Sequence, residues 1–164
     1  MEFARQVPAC IHREHLDSLA LLERLEAALA KSKAAPGRGD AAWSRLFREF
    51  EANLADEIGR HFGFEERELL PLLAEGGDGD IAALLAEEHA AILALAERIV
   101  PALRAFAAEG AAADWRALRE MALELIERQV AHIQKEEMSL LPVLEDVLDG
   151  DRDAELFGRY LAAA

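Results

Sequence analysis

The residues best suited to chemistry are histidine and glutamate pairs that occur twice in the chain with the same spacing. The first copy, HFGFEERELLPLL, covers residues 61–73, and the second, HIQKEEMSLLPVL, covers residues 132–144. Residues four apart lie one turn apart on the same face of a helix. An imidazole and a carboxylate on one helical face form a metal-binding arrangement, and two copies predict a paired site. The pairs are His61 with Glu65 and His132 with Glu136.

A single histidine precedes each pair. His15, within IHREHLDSLALL, and His89, within AEEHAAILALA, each follow a Glu and precede apolar residues at helical spacing. The order along the chain is therefore a lone His, a His/Glu pair, a second lone His and a second His/Glu pair. This internal repeat predicts a duplicated two-helix hairpin.

The composition fits one globular domain. The chain has 164 residues, of which 52% are hydrophobic, and Cys10 is its single cysteine. That length suits one domain with a full core, which we expect over residues 1–164 with the core at about residues 7–148. A lone cysteine excludes an intrachain disulfide framework.

Charge and hydropathy exclude several classes of partner. The formal net charge is −14, which disfavours binding to nucleic acid and to anionic membranes. No apolar run has the length of a membrane span, and the start of the chain lacks the basic and apolar regions of a signal peptide. These features predict a cytoplasmic protein.

Helical periodicity runs through the whole chain and predicts an all-α fold. Ala, Leu, Glu and Arg dominate, and no stretch of alternating β-branched residues occurs. Four long helices joined by short loops predict an antiparallel up-down-up-down four-helix bundle. A short C-terminal helix is expected to follow, from about Arg152 to Leu161.

Caps and breakers set the expected helix boundaries. The first helix is predicted from near Pro8 to about Ala34. Asp40, Asp80 and Asp114 are the expected N-caps of the next three helices. The breaks fall at APGRGD, at GGDGD, at Gly110 with its following alanines, and at DGD from Asp149, and Pro101 is expected to kink the third helix.

Each long helix carries one histidine on its apolar stripe, and two of the stripes add a carboxylate. Six groups able to bind a metal therefore converge in an otherwise apolar core. The predicted inward residues are Ile11, His15, Leu22, Leu25 and Leu29; Phe47, Phe50, Leu54, His61, Glu65 and Leu72; Leu85, His89, Ile92, Ile99, Leu103 and Phe106; and Leu118, Leu125, His132, Glu136 and Val143.

This set of side chains favours a metal over a purely structural role. One histidine on an apolar stripe is usually a hydrogen-bonded core residue, but ionised carboxylates do not remain unpaired in a core. Structural zinc prefers cysteines, and calcium and magnesium prefer oxygen alone. Four imidazoles and two carboxylates suit two first-row transition ions, with iron or manganese fitting best. Two histidines per ion and two bridging glutamates would leave coordination positions open.

The pattern resembles the hemerythrin-like, HHE cation-binding domain family. The likeness rests on H-x-x-x-E with a following Glu and an L-L-P tail, twice, plus a lone His before each, and it covers about residues 7–148. It implies a non-haem di-iron site in a four-helix bundle, with two iron ions bridged by oxide or hydroxide and with manganese or zinc able to take their place. The implied ligands are His15, His61, Glu65, His89, His132 and Glu136. A ferritin-like site would need Glu-x-x-His, which no histidine here offers.

Two departures separate the chain from the oxygen-carrying members of that family. Those carry a fifth histidine in an H-x-x-x-H pair on the third helix, where Leu85 and Leu93 stand four residues either side of His89. They also take the fourth-helix carboxylate five residues after its histidine, whereas Glu136 stands at four. The four-His, two-Glu set resembles instead the HHE proteins linked to nitrosative stress and repair of iron centres.

The sequence therefore predicts a di-iron protein that binds or reacts with O₂, NO or peroxide, with a part in nitrosative or oxidative stress or in iron-centre repair. The alternative is an iron- or oxygen-sensing or iron-storage module without catalysis.

Three polar neighbours leave alternatives open. His12 is expected on the flank or in solvent, although it lies near enough to His15 to be a fifth ligand. Glu66 and Glu137 are expected at the surface or beside the ligands, although either can replace its neighbour as the bridging carboxylate.

Four further residues are expected to be mainly structural. Gln129, one turn before His132, either donates to a ligand or packs. Cys10 is expected to behave as a small core residue, and Trp43 and Trp115 as packing residues near helix starts.

Overall fold

A computed structural model describes residues 2–37, 39–109 and 114–162. All regular structure in these ranges is helical, which confirms the all-α class. In chain order the helices are α1 (Gln6–Lys31), α2 (Ala41–Asp56), the short α3 (Phe62–Phe64) and α4 (Leu70–Leu73), α5 (Gly79–Glu109), α6 (Trp115–Met138), α7 (Leu140–Val147) and α8 (Gly150–Ala162). None of the helices described has the length and hydropathy of a membrane span.

The second long segment is not a regular helix. Three π-helical turns interrupt it, at Glu57–His61, Glu65–Leu69 and Ala74–Asp78. A π turn takes more residues than an α turn and so rotates the residues that follow it. As a result Leu73 is buried while Leu72, which the helical period placed inward, is only half-buried.

The repeated L-L-P tails explain where the helical hydrogen bonding changes. Proline has no N–H and clashes with the carbonyl four residues earlier. Pro71 lies in the first turn of α4, which follows the second π turn, and Pro142 lies in the first turn of α7, which Ser139 separates from α6. The predicted fourth helix is therefore two segments, and Leu144 is buried where Val143 was expected.

Two of the three predicted N-caps are confirmed. The Asp40 carboxylate accepts from the Ala42 and Trp43 amides at 3.0 and 3.2 Å, and the Asp114 carboxylate accepts from the Ala117 amide at 3.0 Å. The prediction for Asp80 is wrong, because this residue lies inside the first turn of α5.

The remaining boundaries also differ from expectation in detail. The chain changes direction at Gly77, whose φ of 108° is a conformation that glycine adopts without strain. The first helix begins and ends a few residues before its predicted limits, and α5 continues through Pro101. The loop predicted at Gly110 lies outside the described residues.

Two apolar clusters divide the core. One includes Leu25, Phe50 and Phe106, and the other includes Ile11 and Leu140. On each long helical segment the chain passes from one cluster to the other near its histidine. The polar residues therefore form a layer between two apolar halves.

Trp43 and Trp115 belong to the first of these clusters, as expected of packing residues. Their rings meet edge to face with centroids 5.2 Å apart. The Trp115 indole also donates to the Ser32 carbonyl at 3.3 Å, which holds the start of α6 against the end of α1.

Helix α8 is attached to the beginning of α1. The buried Asp153 carboxylate accepts from the Gln6 amide at 2.7 Å and from the Val7 amide at 2.9 Å. These amides are among those that the first turn of α1 leaves without an intrahelical partner. A side chain from α8 therefore caps α1.

We expect Asp153→Ala to lower the free energy of unfolding by about 1–2 kcal/mol, because the α1 amides lose their acceptor inside the protein. Chemical denaturation of the purified protein measures this. Asp151→Ala, at an exposed position of the same helix turn, is the matched control and should change stability little. Equal losses in the two variants would contradict the capping role of Asp153.

Candidate metal centre

Six buried side chains meet in the polar layer between the two apolar clusters. They form two groups, and the atoms able to bind a metal lie within 4.8 Å of one another in each group. Glu65 and Glu136 belong to both groups. The first group adds His15 and His61, and the second adds His89 and His132.

The two His/Glu pairs reach the same geometry from different backbones. His61 ends the first π turn and Glu65 begins the second, and the His61 Nε2 lies 3.0 Å from a Glu65 oxygen. His132 and Glu136 lie on the regular helix α6, with the same atoms also 3.0 Å apart. The spacing of four residues therefore survives the π turns of the second segment.

Each shared carboxylate directs one oxygen toward each histidine group. Glu65 Oε1 faces His61, and its Oε2 lies 3.4 Å from the Nε2 of His89. Glu136 Oε2 lies 3.1 Å from the Nε2 of His15, and its Oε1 faces His132. Each carboxylate therefore lies between the two histidine groups.

The inward atoms are short of hydrogen-bond partners. Glu65 and Glu136 are 0% exposed, and among the described residues none of their four carboxylate oxygens has a partner with hydrogen-bond geometry. The Nε2 of His15 likewise has no partner with hydrogen-bond geometry among the described residues. Buried carboxylates need compensating charge, and a mixed set of imidazole nitrogens and carboxylate oxygens suits transition ions such as iron. The donor set therefore fits bound cations.

The outer nitrogen of every histidine donates to a further carboxylate. This fixes the tautomer, so that each Nε2 lone pair points inward, and it raises the strength of the imidazole as a ligand. The four bonds are His15 Nδ1 to Glu137 (2.8 Å), His61 Nδ1 to Glu14 (3.0 Å), His89 Nδ1 to Glu66 (3.0 Å) and His132 Nδ1 to Glu88 (3.1 Å).

Each outer carboxylate accepts from a histidine on a different helical segment. Glu14 and Glu88, each directly before a lone histidine, serve the histidine of the following pair. Glu66 and Glu137, each directly after a pair, serve the lone histidine of another helix. The role of Glu14 and Glu88 was not predicted, although the Glu-His dipeptide occurs in both repeats.

Glu66 and Glu137 lie farther from the centre than the glutamates that precede them. Their side chains are 48% and 22% exposed, and neither belongs to the two groups around the centre. His12 also lies outside both groups, since its Nδ1 donates to Glu137 at 2.9 Å and its ring lies against Phe3.

The remaining candidates sit at the border of the layer. Gln129 is buried one turn before His132. The Cys10 sulfur lies 3.9 Å from a Glu14 oxygen, at the rim of the second apolar cluster. Of the two positions where a fifth histidine would stand, only Leu85 is buried, whereas Leu93 is 39% exposed.

Without an ion, protons would occupy the inward nitrogens of His15 and His89. Burial lowers the pKa of His15 and His89, but their carboxylate neighbours outweigh it and raise the pKa to about 9 and about 10, respectively. The same contacts hold the pKa of Glu136 well below its usual range against the effect of burial. Protons and cations therefore compete for the same atoms.

The comparisons with known proteins agree with this geometry. A family model described as the hemerythrin HHE cation binding domain matches residues 8–144, a range that contains all six residues of the centre. Searches of curated proteins and of solved structures find no match.

The metal-free protein should lose stability as the pH rises. The pKa of His15 and His89 rises on folding from 6.5 to about 9 and about 10, so their contribution is complete below pH 6.5 and disappears as the pH passes through these values. Thermal melts of chelator-treated protein at several pH values from 6.5 to about 10 measure the fall in Tm. Metal-loaded protein is the control and should fall less, because its nitrogens hold no protons to lose. A Tm of the metal-free protein that stays constant or rises would contradict this assignment.

Proposed function

The chain belongs to the hemerythrin HHE cation binding domain family, and we propose that it is a non-haem di-iron protein that binds or reacts with O₂, NO or peroxide. The observation that carries the proposal is the sharing of Glu65 and Glu136 between two histidine groups. One ion alone would not need two carboxylates placed so that each reaches both groups.

The proposed roles follow from the distances. His15 and His61 would hold one ion, His89 and His132 would hold the other, and Glu65 and Glu136 would contribute a carboxylate oxygen to each. Each ion would then have two imidazoles and two carboxylate oxygens, which leaves positions open in an octahedral shell. When bound, the iron pair supplies those positions for a small ligand and the electrons to reduce it.

The residues around the centre support reaction with a small ligand rather than simple carriage of O₂. Leu85 occupies the buried position that a fifth histidine would need, so the centre offers four imidazoles rather than five. The Phe62 ring stacks on the His89 imidazole with centroids 4.0 Å apart and walls that side of the centre with apolar atoms. A reversible oxygen carrier needs a hydrogen-bond donor near the bound gas.

The proposed architecture is a single domain over residues 1–164, with the helices antiparallel in up-down-up-down order. Contacts along α1 support this order. The Leu29 carbonyl accepts from Arg119, His15 faces Glu136, and the Ala4 amide donates to Glu145, so rising numbers on one segment meet falling numbers on the other.

The wider role that we propose is in nitrosative or oxidative stress, or in the repair of iron centres, in the cytoplasm. Its support is the set of four histidines and two glutamates, which departs from the five-histidine pattern of oxygen carriers. This role depends on the di-iron centre and fails with it.

The first test is metal content. We expect wild-type protein to bind about two iron ions per chain after expression in iron-rich medium. His132→Ala should lower both iron content and Tm, because it removes a ligand and leaves buried carboxylates uncompensated. His12→Ala, which removes an imidazole outside the centre, is the matched control. Stoichiometric zinc in the wild type, or equal losses in the two variants, would refute the assignment.

The second test concerns reactivity. We expect the anaerobically reduced protein to be oxidised rapidly and irreversibly on stopped-flow mixing with oxygenated buffer, since four imidazoles and two carboxylates would not saturate two ions. The absorption of the oxidised centre reports the reaction. Uptake of O₂ that reverses when the oxygen pressure is lowered would contradict this expectation and identify an oxygen carrier.

A further inference from the structure

The C-terminal helix α8 brings a phenol to one side of the metal centre. Tyr160 is buried, and its hydroxyl donates to Glu14 Oε2, the oxygen that also accepts from the Nδ1 of His61. The hydroxyl itself lies 3.4 Å from that Nδ1. Helix α8 lies beyond residues 8–144, so this contact adds a residue from outside the matched family segment.

A guanidinium completes the surroundings of Glu14. The Arg60 Nη2 donates to Glu14 Oε1 at 3.0 Å, and the guanidinium carbon lies 4.5 Å from the centroid of the Tyr160 ring. Burial raises the pKa of Glu14, but the hydrogen bonds from His61 and Tyr160 outweigh it and hold the pKa at about 2. Glu14 is therefore a carboxylate fixed by three donors.

The equivalent carboxylate on the other side has different partners. Glu88 accepts from the His132 Nδ1 at 3.1 Å and from the Lys135 ammonium at 2.7 Å, and the Lys135 side chain is 40% exposed. The repeat thus supplies a carboxylate behind each pair histidine. A buried phenol donates a hydrogen bond to one of them and a guanidinium balances its charge, whereas a partly exposed ammonium balances the charge of the other.

Helix α8 holds the phenol rigidly. Asp153 ties this helix to the first amides of α1, and the Tyr160 ring lies against Phe64 with centroids 4.7 Å apart. Leu156, one turn before Tyr160, is fully buried in the same apolar cluster. A hydroxyl placed by a docked helix keeps its partner in one orientation.

We propose that Tyr160 is a positioning residue for the metal site of His15 and His61, acting through Glu14 on the ring of His61, and that it makes this site inequivalent to the site of His89 and His132. The proposal rests on the paired centre proposed above. Its physical basis is that the partners of a ligand histidine fix the ring and set how much electron density it donates. Tyr160 and Arg60 both withdraw charge from Glu14, so His61 and His132 are ligands of different strength.

The experiment compares Tyr160→Phe with Lys135→Met, the matched change behind His132. Chelator competition with Co²⁺ under anaerobic conditions gives two stepwise dissociation constants for the wild-type protein. Loss of a ligand's outer partner typically weakens metal binding by about 10-fold to 100-fold. We expect Tyr160→Phe to raise one constant about tenfold and to leave the other unchanged. Lys135→Met should raise the other constant, and the double variant should show both effects.

Visible spectra of the Co²⁺-loaded variants provide a second readout, since a change of ligand orientation alters the absorption of only the affected ion. Thermal melts of the metal-free variants show whether the fold is kept. Unchanged constants in Tyr160→Phe, or an equal rise in both, would overturn the proposal. So would a loss of stability with no change in either constant. Wild-type protein that binds fewer than two ions would instead refute the paired centre itself.

Discussion

The structure depends on two carboxylates that lie in the middle of an apolar core. Glu65 and Glu136 are fully buried, and each lies between two imidazoles from different helices. Such charges are costly unless a cation compensates them. The four histidines surround these carboxylates, and the two apolar clusters of the core lie on either side of them.

The internal repeat gives the centre an approximate symmetry. The residues that contact the outer glutamates differ between the two halves. Each half contributes a lone histidine, a His/Glu pair and two outer glutamates, and the outer glutamates connect the helices crosswise. The two halves differ in the side chains that contact Glu14 and Glu88. Tyr160 and Arg60 approach Glu14, whereas Lys135 approaches Glu88. In the di-iron centre that we propose, these different surroundings would allow one ion to bind before the other.

Much of this was predictable, because helical spacing is a local property. The i, i+4 pairs and the apolar stripes placed all six residues of the centre on inward faces, where the structure buries them. The π turns were not predictable from that period, and they moved Leu73 into the place expected for Leu72. The contact of Tyr160 with Glu14 joins residues far apart in the chain, so no repeat or local spacing predicts it.

The central claim is that two ions share Glu65 and Glu136, and anomalous diffraction from crystals of the iron-loaded protein tests it most directly. Data collected on the two sides of the iron absorption edge locate iron independently of any assumption about ligands. We predict two anomalous peaks in the polar layer, each within coordination distance of both carboxylates, one next to His15 and one next to His132. A single peak, or peaks at the surface away from these carboxylates, would contradict the account.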